Sequence, residues 1–141
     1  MPNNMNPVVH FEMPAEDQKR MSDFYTKVFG WQTKQMGPDM ENYVVVTTAE
    51  SDPNDLSGRP KVPGSINGGF YKKTKDDQYT SVVIAVNDIS EGMKKIEEAG
   101  GKVLGGMGGP QKPDDIPGVG LYVSFLDTEG NRVGMLQPKE M

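Results

Sequence analysis

The chain contains no cysteine, and this absence removes several kinds of chemistry at once. A protein without cysteine has no disulfide, no thiolate ligand for a metal and no cysteine nucleophile. Long hydrophobic runs are also missing, since no apolar segment approaches the ~20 residues that a membrane-spanning helix requires. The N-terminal residues lack both the cationic region and the apolar stretch of a secretory signal, so we expect a cytoplasmic protein.

Clusters of positive charge are absent as well. The 141 residues include 15 Lys and Arg against 20 Asp and Glu, which gives a net charge of −5, and no basic run is longer than two residues. Nucleic acids and anionic membranes recruit proteins through clustered cations. We therefore expect neither of them as a partner. The length and the hydrophobic fraction of 35% are typical of one folded domain.

One pattern of elements occurs twice along the chain, at an offset of 71 positions. In each copy an apolar strand is followed by an Asp that can cap a helix, and the helix ends at glycine. The residues that this offset pairs are His10 with Ser81, Asp17 with Asp88, and Gly30 with Gly101. The only histidine of the chain therefore has a serine at the equivalent place in the second copy.

Hydrophobic periodicity predicts a βαβββ order for both copies. The predicted strands are 8–13, 31–36, 42–48 and 66–73 in the first copy, and 79–86, 102–105, 118–126 and 132–136 in the second. Segments rich in Pro and Gly over 49–65 and 105–118 predict two long loops. Together these elements predict an α+β domain over residues 7–138, with module one at 7–74, module two at 79–138, and a disordered polar tail over 1–6.

Several of these residues form a pattern that resembles a known superfamily. The pattern comprises His10, Asp17, Phe24-Tyr25, Gly30-Trp31 and the turn Asp127-Thr-Glu-Gly-Asn131. It resembles the vicinal oxygen chelate superfamily, which includes glyoxalase I, bleomycin-resistance proteins and extradiol dioxygenases, and the match covers the chain from Val8 to Gln137. The resemblance implies that two tandem βαβββ modules curve into an open, cupped β-barrel with the helices on its convex side. It says little about substrate.

The resemblance also indicates where a metal would bind. In this superfamily a divalent ion takes one ligand from each of strands one, four, five and eight. These positions correspond here to His10 on strand one, Ser81 on strand five and Gly134 on strand eight, and Gly68 or Gly69 is the nearest match on strand four. A catalytic ion needs about three protein ligands. Since His10 is the only ligand that survives, we expect no metal cofactor.

The predicted strands indicate which residues could line a ligand pocket. His10 and Glu12 share one face of the first strand because side chains alternate with a period of two. With Ser81 they are our candidates, and no residue is assigned as catalytic. His10 either contacts a ligand, where it could act as acid or base near neutral pH, or only hydrogen-bonds inside the barrel. The sequence leaves both roles open.

Two further sets of residues bear on such a pocket. The tyrosines Tyr43, Tyr71 and Tyr122 could face the same side, but a single bulge reverses strand parity. Glycine at former ligand positions makes room for a bulkier ligand, or lets a loop close in.

Three functions remain open at this point. We favour a metal-free small-molecule binding protein with a cavity on the concave sheet face, as the likeness to bleomycin-resistance proteins implies. The alternative is a metal-dependent lyase, isomerase or dioxygenase with a non-standard site built from His10 and Glu12. The third is an interaction module whose sheet edges form a homodimer. Whether the chain is an enzyme is left open.

Overall fold

The computed structural model describes residues 5–50, 64–106 and 108–139. The predicted tail over 1–6 and the predicted loop over 49–65 therefore lie largely outside the described residues. Two α-helices and nine β-strands are formed in the described segments, which confirms the predicted α+β class. No helix in these segments is long and apolar enough to cross a membrane.

The chain divides into two compact units. We call His10–Thr80 the first unit, and Ser81–Met141 together with Met1–Val9 the second unit. Each is described on its own. The predicted assembly of two modules into an open barrel stays a prediction.

The first unit contains one helix packed on a four-stranded sheet. Its elements are β1 (Val8–Ala15, of which His10–Ala15 fall in this unit), α1 (Gln18–Phe29), β2 (Gln32–Gln35), a 3-10 helix (Pro38–Met40), β3 (Val44–Thr47) and β4 (Asn67–Lys72). The strand order is β2-β3-β4-β1, in which β1 and β4 run parallel and the other neighbours antiparallel. The 3-10 helix begins at Pro38, because proline at the first position of a helix has no amide to leave unsatisfied.

The core of the first unit lies between α1 and the sheet. Its buried residues are Ala15, Val44, Val46 and Phe70, and the half-buried side chains packed against them are Phe11, Met13, Met21, Tyr25 and Trp31. The predicted helix cap is present, since the Asp17 carboxylate accepts a hydrogen bond from the Arg20 amide at 3.0 Å. Gly30 ends the helix in the left-handed conformation, with φ of 73°.

The second unit repeats this plan and adds one strand. Its elements are β5 (Ser81–Ala85), α2 (Ile89–Glu98), β6 (Lys102–Gly105), β7 (Asp114–Ile116), β8 (Gly120–Leu126) and β9 (Arg132–Pro138). The strand order is β5-β9-β8-β6, β5 and β9 are parallel, and β7 also pairs with β8. Asp88 caps α2 by accepting from the Glu91 amide at 3.1 Å, as predicted. The buried residues of its core are Ile89, at the start of α2, and Val123 and Met135 on the sheet.

Strand β7 lies where the sequence predicted only a loop over 105–118, so this part of the prediction is wrong. Strand β6 ends its pairing with β8 at Gly105, whose φ is 89°. The chain pairs with β8 again at Asp114, which is the register partner of Tyr122. A strand of three residues, two of them Asp, has no hydrophobic alternation from which it could be recognised. Pairing with β8 decides its structure.

The parallel strand pairs of the two units correspond residue by residue. In the first unit Glu12 on β1 is the register partner of Gly69 on β4. In the second unit Val83 on β5 is the register partner of Gly134 on β9. Two residues before Glu12 and Val83 lie His10 and Ser81, so these two residues occupy the same place in their own units.

Candidate functional site

His10 and Glu12 lie on the face of β1 that points away from helix α1. The residues that alternate with them along the strand, Phe11, Met13 and Ala15, pack into the core beneath the helix. Because side chains alternate along a strand, the side chains of His10 and Glu12 point to the other side of the sheet. We call this side, with His10, Glu12 and Tyr43, the polar face of the first unit.

The phenol of Tyr43 joins His10 to Glu12 on the polar face. Its Oη lies 2.9 Å from Nε2 of His10 and donates a hydrogen bond of 3.2 Å to Oε2 of Glu12. A phenol has only one proton to donate. Since that proton goes to Glu12, Nε2 of His10 must be the donor to Oη. The chain of hydrogen bonds therefore runs from imidazole to phenol to carboxylate, and all three groups are partly buried.

Tyr43 reaches this position because of the register between β3 and β4. Val45 is the register partner of Gly69, so Tyr43, two residues earlier on the same face, lies diagonally across from that glycine. A Cβ atom at position 69 would overlap the Tyr43 phenol. Gly69 therefore supplies the space in which the aromatic ring lies. In the structure this space is taken by the side chain of Tyr43, the residue just before β3.

The backbone that delivers Tyr43 is strained and well hydrogen-bonded. Glu41 and Asn42 both adopt the left-handed conformation, with φ of 53° and 59°. For a glutamate this costs about 1 kcal/mol, whereas asparagine tolerates it better. The Tyr43 carbonyl accepts from the Met36 amide at 2.8 Å, and the Tyr43 amide donates to the Met40 carbonyl at 3.1 Å. These bonds fix the backbone of Tyr43 at the start of β3.

Electrostatics agree with a neutral imidazole at this site. Burial lowers the pKa of His10 below its ordinary value of 6.5, and the opposing effect of the Glu12 carboxylate is smaller. His10 is therefore neutral at pH 7. A neutral imidazole has one N–H, which the hydrogen-bond geometry assigns to Nε2.

The second unit has the same glycine and tyrosine but not the same polar residues. A Cβ atom at Gly134 would lie 2.6 Å from Oη of Tyr122, so here too a phenol occupies the space above a glycine. The places of His10 and Glu12 are taken by Ser81 and Val83. Of the two units, only the first therefore has an imidazole and a carboxylate at these two places.

The residues that the resemblance assigns to metal-binding positions have the following surroundings in the structure. Gly69 and Gly134 offer no side-chain ligand, tyrosine rings occupy the space beside them, and Nε2 of His10 is engaged with Tyr43. No group of three or more His, Cys, Asp or Glu that could hold a metal ion occurs among the described residues. The expectation that the protein uses no metal remains a prediction.

The predicted site residues fall into two groups in the structure. His10 and Glu12 come together through Tyr43, whereas Ser81 lies on β5 of the second unit. The sequence indicates Tyr43 and Tyr122 as candidates, but it does not reveal which face of the sheet they lie on, because that depends on strand register. In both units the tyrosine lies two residues before the register partner of a strand glycine, and this spacing identifies it once the strand pairing is known.

We predict that Gly69→Ala destabilises the protein and that Tyr43→Ala suppresses the effect. The added methyl group must push the phenol out of its place, which should lower the free energy of unfolding by about 2 kcal/mol. In the Tyr43→Ala background the same substitution should cost much less, which gives a coupling energy of at least about 1 kcal/mol in a double-mutant cycle measured by urea unfolding. Gly108→Ala is the control, because its Cβ would meet nothing within 4 Å. Additive effects would contradict the close contact.

The single histidine permits a direct test of the His10 environment. In protein without a histidine tag, we predict that nitrogen-15 NMR finds the Nε2–H tautomer at pH 7 and a titration midpoint below 6.5. A lowered pKa means that the unfolded chain binds the proton more readily than the folded one. The free energy of unfolding should therefore fall as the pH drops from 6.5 to the midpoint, and His10→Gln should remove this contribution. A midpoint at or above 6.5 would show that the charge of Glu12 outweighs burial.

Comparison with known proteins agrees with the fold. The chain matches the family model of the Glyoxalase/Bleomycin resistance protein/Dioxygenase superfamily over residues 8–135. Among curated proteins it is similar to the anthracycline biosynthesis protein DauV of Streptomyces sp. (strain C5), with 28% identity over 129 residues, 85% of this chain and 42% of DauV. The chain thus spans about two fifths of the length of this relative.

Solved structures resemble the chain over nearly all of its length. A variant of Streptomyces coelicolor methylmalonyl-CoA epimerase in complex with 2-nitronate-propionyl-CoA has a TM-score of 0.67, with 12% identity and 98% coverage of both chains. A hypothetical protein of Bacillus halodurans C-125 has a TM-score of 0.65, with 10% identity and 96% coverage of both. Similarity at these identities shows the fold alone. From the family match over residues 8–135, the chain belongs to the Glyoxalase/Bleomycin resistance protein/Dioxygenase superfamily.

Proposed function

We propose that this chain is a metal-free small-molecule binding protein whose ligand contacts the polar face of the first unit. The observation that carries the proposal is the chain of hydrogen bonds His10–Tyr43–Glu12 above Gly69. Partly buried polar groups beside a position without a side chain can orient a small molecule by hydrogen bonds. The roles of His10 and Glu12 as pocket residues are part of this proposal. The role of Ser81, the homodimer and cytoplasmic residence stay predictions of the sequence.

The relatives guide the choice of compounds to test. DauV is named for anthracycline biosynthesis, the superfamily includes bleomycin-resistance proteins, and the epimerase structure holds an acyl-CoA analogue. A panel should therefore contain an anthracycline, bleomycin and propionyl-CoA. Aromatic compounds are favoured, because a neutral imidazole and a carboxylate offer no positive charge to the phosphates of coenzyme A.

We predict that at least one compound class of this panel raises the melting temperature of the protein. A ligand at 100 times its dissociation constant adds about 2.7 kcal/mol to the free energy of unfolding. Glu12→Gln should reduce the stabilisation because it removes the carboxylate of the polar face. Glu16→Gln is the matched control, since it removes the same charge from an exposed residue just past β1. If no compound class changes the melting temperature of the wild-type protein, the proposed function is wrong.

One observation favours the metal-dependent enzyme of the sequence analysis as a second candidate. The imidazole of His10 and the carboxylate of Glu12 approach the same phenolic oxygen, so two common metal ligands lie close together. Elemental analysis of protein purified without chelator separates the two candidates. We predict sub-stoichiometric metal content that His10→Ala leaves unchanged. One equivalent of a divalent metal that is lost in both His10→Ala and Glu12→Ala would favour the enzyme.

A further inference from the structure

The side chain of Tyr43 is held in the way in which a protein would hold a phenolic ligand. Its oxygen lies between a donor, Nε2 of His10 at 2.9 Å, and an acceptor, Oε2 of Glu12 at 3.2 Å. Its ring lies over a residue without a side chain, Gly69. A flat aromatic ring and a hydroxyl group are therefore each matched by a separate feature of the polar face.

We infer that His10, Glu12 and the backbone of Gly69 form a binding site for the hydroxylated ring of a phenolic compound, and that Tyr43 is the intramolecular occupant which this compound displaces. The inference rests on the proposed function and adds to it the chemical class of the ligand. It also gives Tyr43 a regulatory role, since its phenol competes with the ligand for the same hydrogen bonds.

The paired hydrogen bonds select a hydroxyl group over other polar groups. The site offers one N–H and one carboxylate oxygen, so its ligand atom must accept one hydrogen bond and donate another. An ether or a ketone accepts but cannot donate to Glu12. A carboxylate cannot donate and is also repelled by the charge of Glu12, while an ammonium group cannot accept from His10. A phenol satisfies both partners.

The backbone around Tyr43 permits displacement of the side chain alone. The amide and the carbonyl of Tyr43 are bonded to Met40 and Met36, and these bonds do not involve the phenol. Rotation about the side-chain torsions therefore frees the space above Gly69 without breaking the start of β3. Displacement breaks the hydrogen bonds of the phenol to His10 and Glu12, and the ligand hydroxyl forms these two bonds again.

The second unit supplies the matched control. Tyr122 lies over Gly134 as Tyr43 lies over Gly69, but Ser81 and Val83 replace the imidazole and the carboxylate. Removal of Tyr122 should therefore open a space for a ring beside Gly134 without the imidazole and the carboxylate that His10 and Glu12 supply in the first unit. The difference between the two tyrosines isolates the contribution of His10 and Glu12.

The experiment measures binding of 4-fluorophenol, 4-fluoroanisole and 4-fluorotoluene by fluorine-19 NMR. We expect Tyr43→Ala to bind 4-fluorophenol at least about ten-fold more tightly than either of the other two, because only the phenol makes both hydrogen bonds. Glu12→Gln in the Tyr43→Ala background should reduce this preference, and Tyr122→Ala should show a smaller preference than Tyr43→Ala because Ser81 and Val83 take the places of His10 and Glu12 in its unit. Circular dichroism establishes that each variant is folded. A folded Tyr43→Ala that binds the three probes equally, or binds none, overturns the inference.

Tyr43→Phe provides a second test that keeps the ring in place. This variant loses the hydrogen bonds of the phenol to His10 and Glu12, so its ring competes less well. We therefore expect 4-fluorophenol to bind it about ten-fold more tightly than it binds the wild type. An unchanged or weaker affinity would show that Tyr43 does not compete with the ligand. If a compound of the panel stabilises the wild type while Tyr43→Phe leaves phenol binding unchanged, the proposed function stands and the phenolic site is rejected.

Discussion

The contact between the Tyr43 phenol and the backbone at Gly69 is the constraint on which the polar face depends. No other residue at position 69 leaves space for the ring, and without the ring His10 and Glu12 would lose the phenol to which both are hydrogen-bonded. With the ring in this place, the single phenolic proton goes to Glu12, and this sets the direction of the hydrogen bonds. The tautomer of His10 follows from that direction, and burial keeps the imidazole neutral. A packing relation thus sets the chemistry of the face.

The internal repeat shows which part of this arrangement is structural. Both units place a tyrosine over a glycine on the strand that is parallel to the first strand of the unit. Filling the space above the glycine is therefore a shared solution to packing. The imidazole and the carboxylate occur in only one of the two units, so the shared packing does not require them. This difference separates the residues of the proposed ligand site, His10 and Glu12, from the structural residue Gly69.

Local patterns in the sequence predicted much of the fold and half of the site. The helix caps Asp17 and Asp88 act on amides three residues away, and the shared face of His10 and Glu12 follows from alternation along one strand. The role of Tyr43 could not be predicted in this way. It depends on the pairing of β3 with β4, between which lie residues 51–63, outside the described residues. Strand β7 was not predicted for a related reason. Its strand conformation is determined by pairing with β8 and not by its own composition.

The overlap at position 69 has a consequence for how such a protein can change during evolution. A metal-binding side chain at that position and a tyrosine at position 43 are mutually exclusive, because both require the same volume. Exchange of one arrangement for the other would require substitutions at both positions. Either one alone leaves a clash or a void, so the two residues are expected to vary together across lineages.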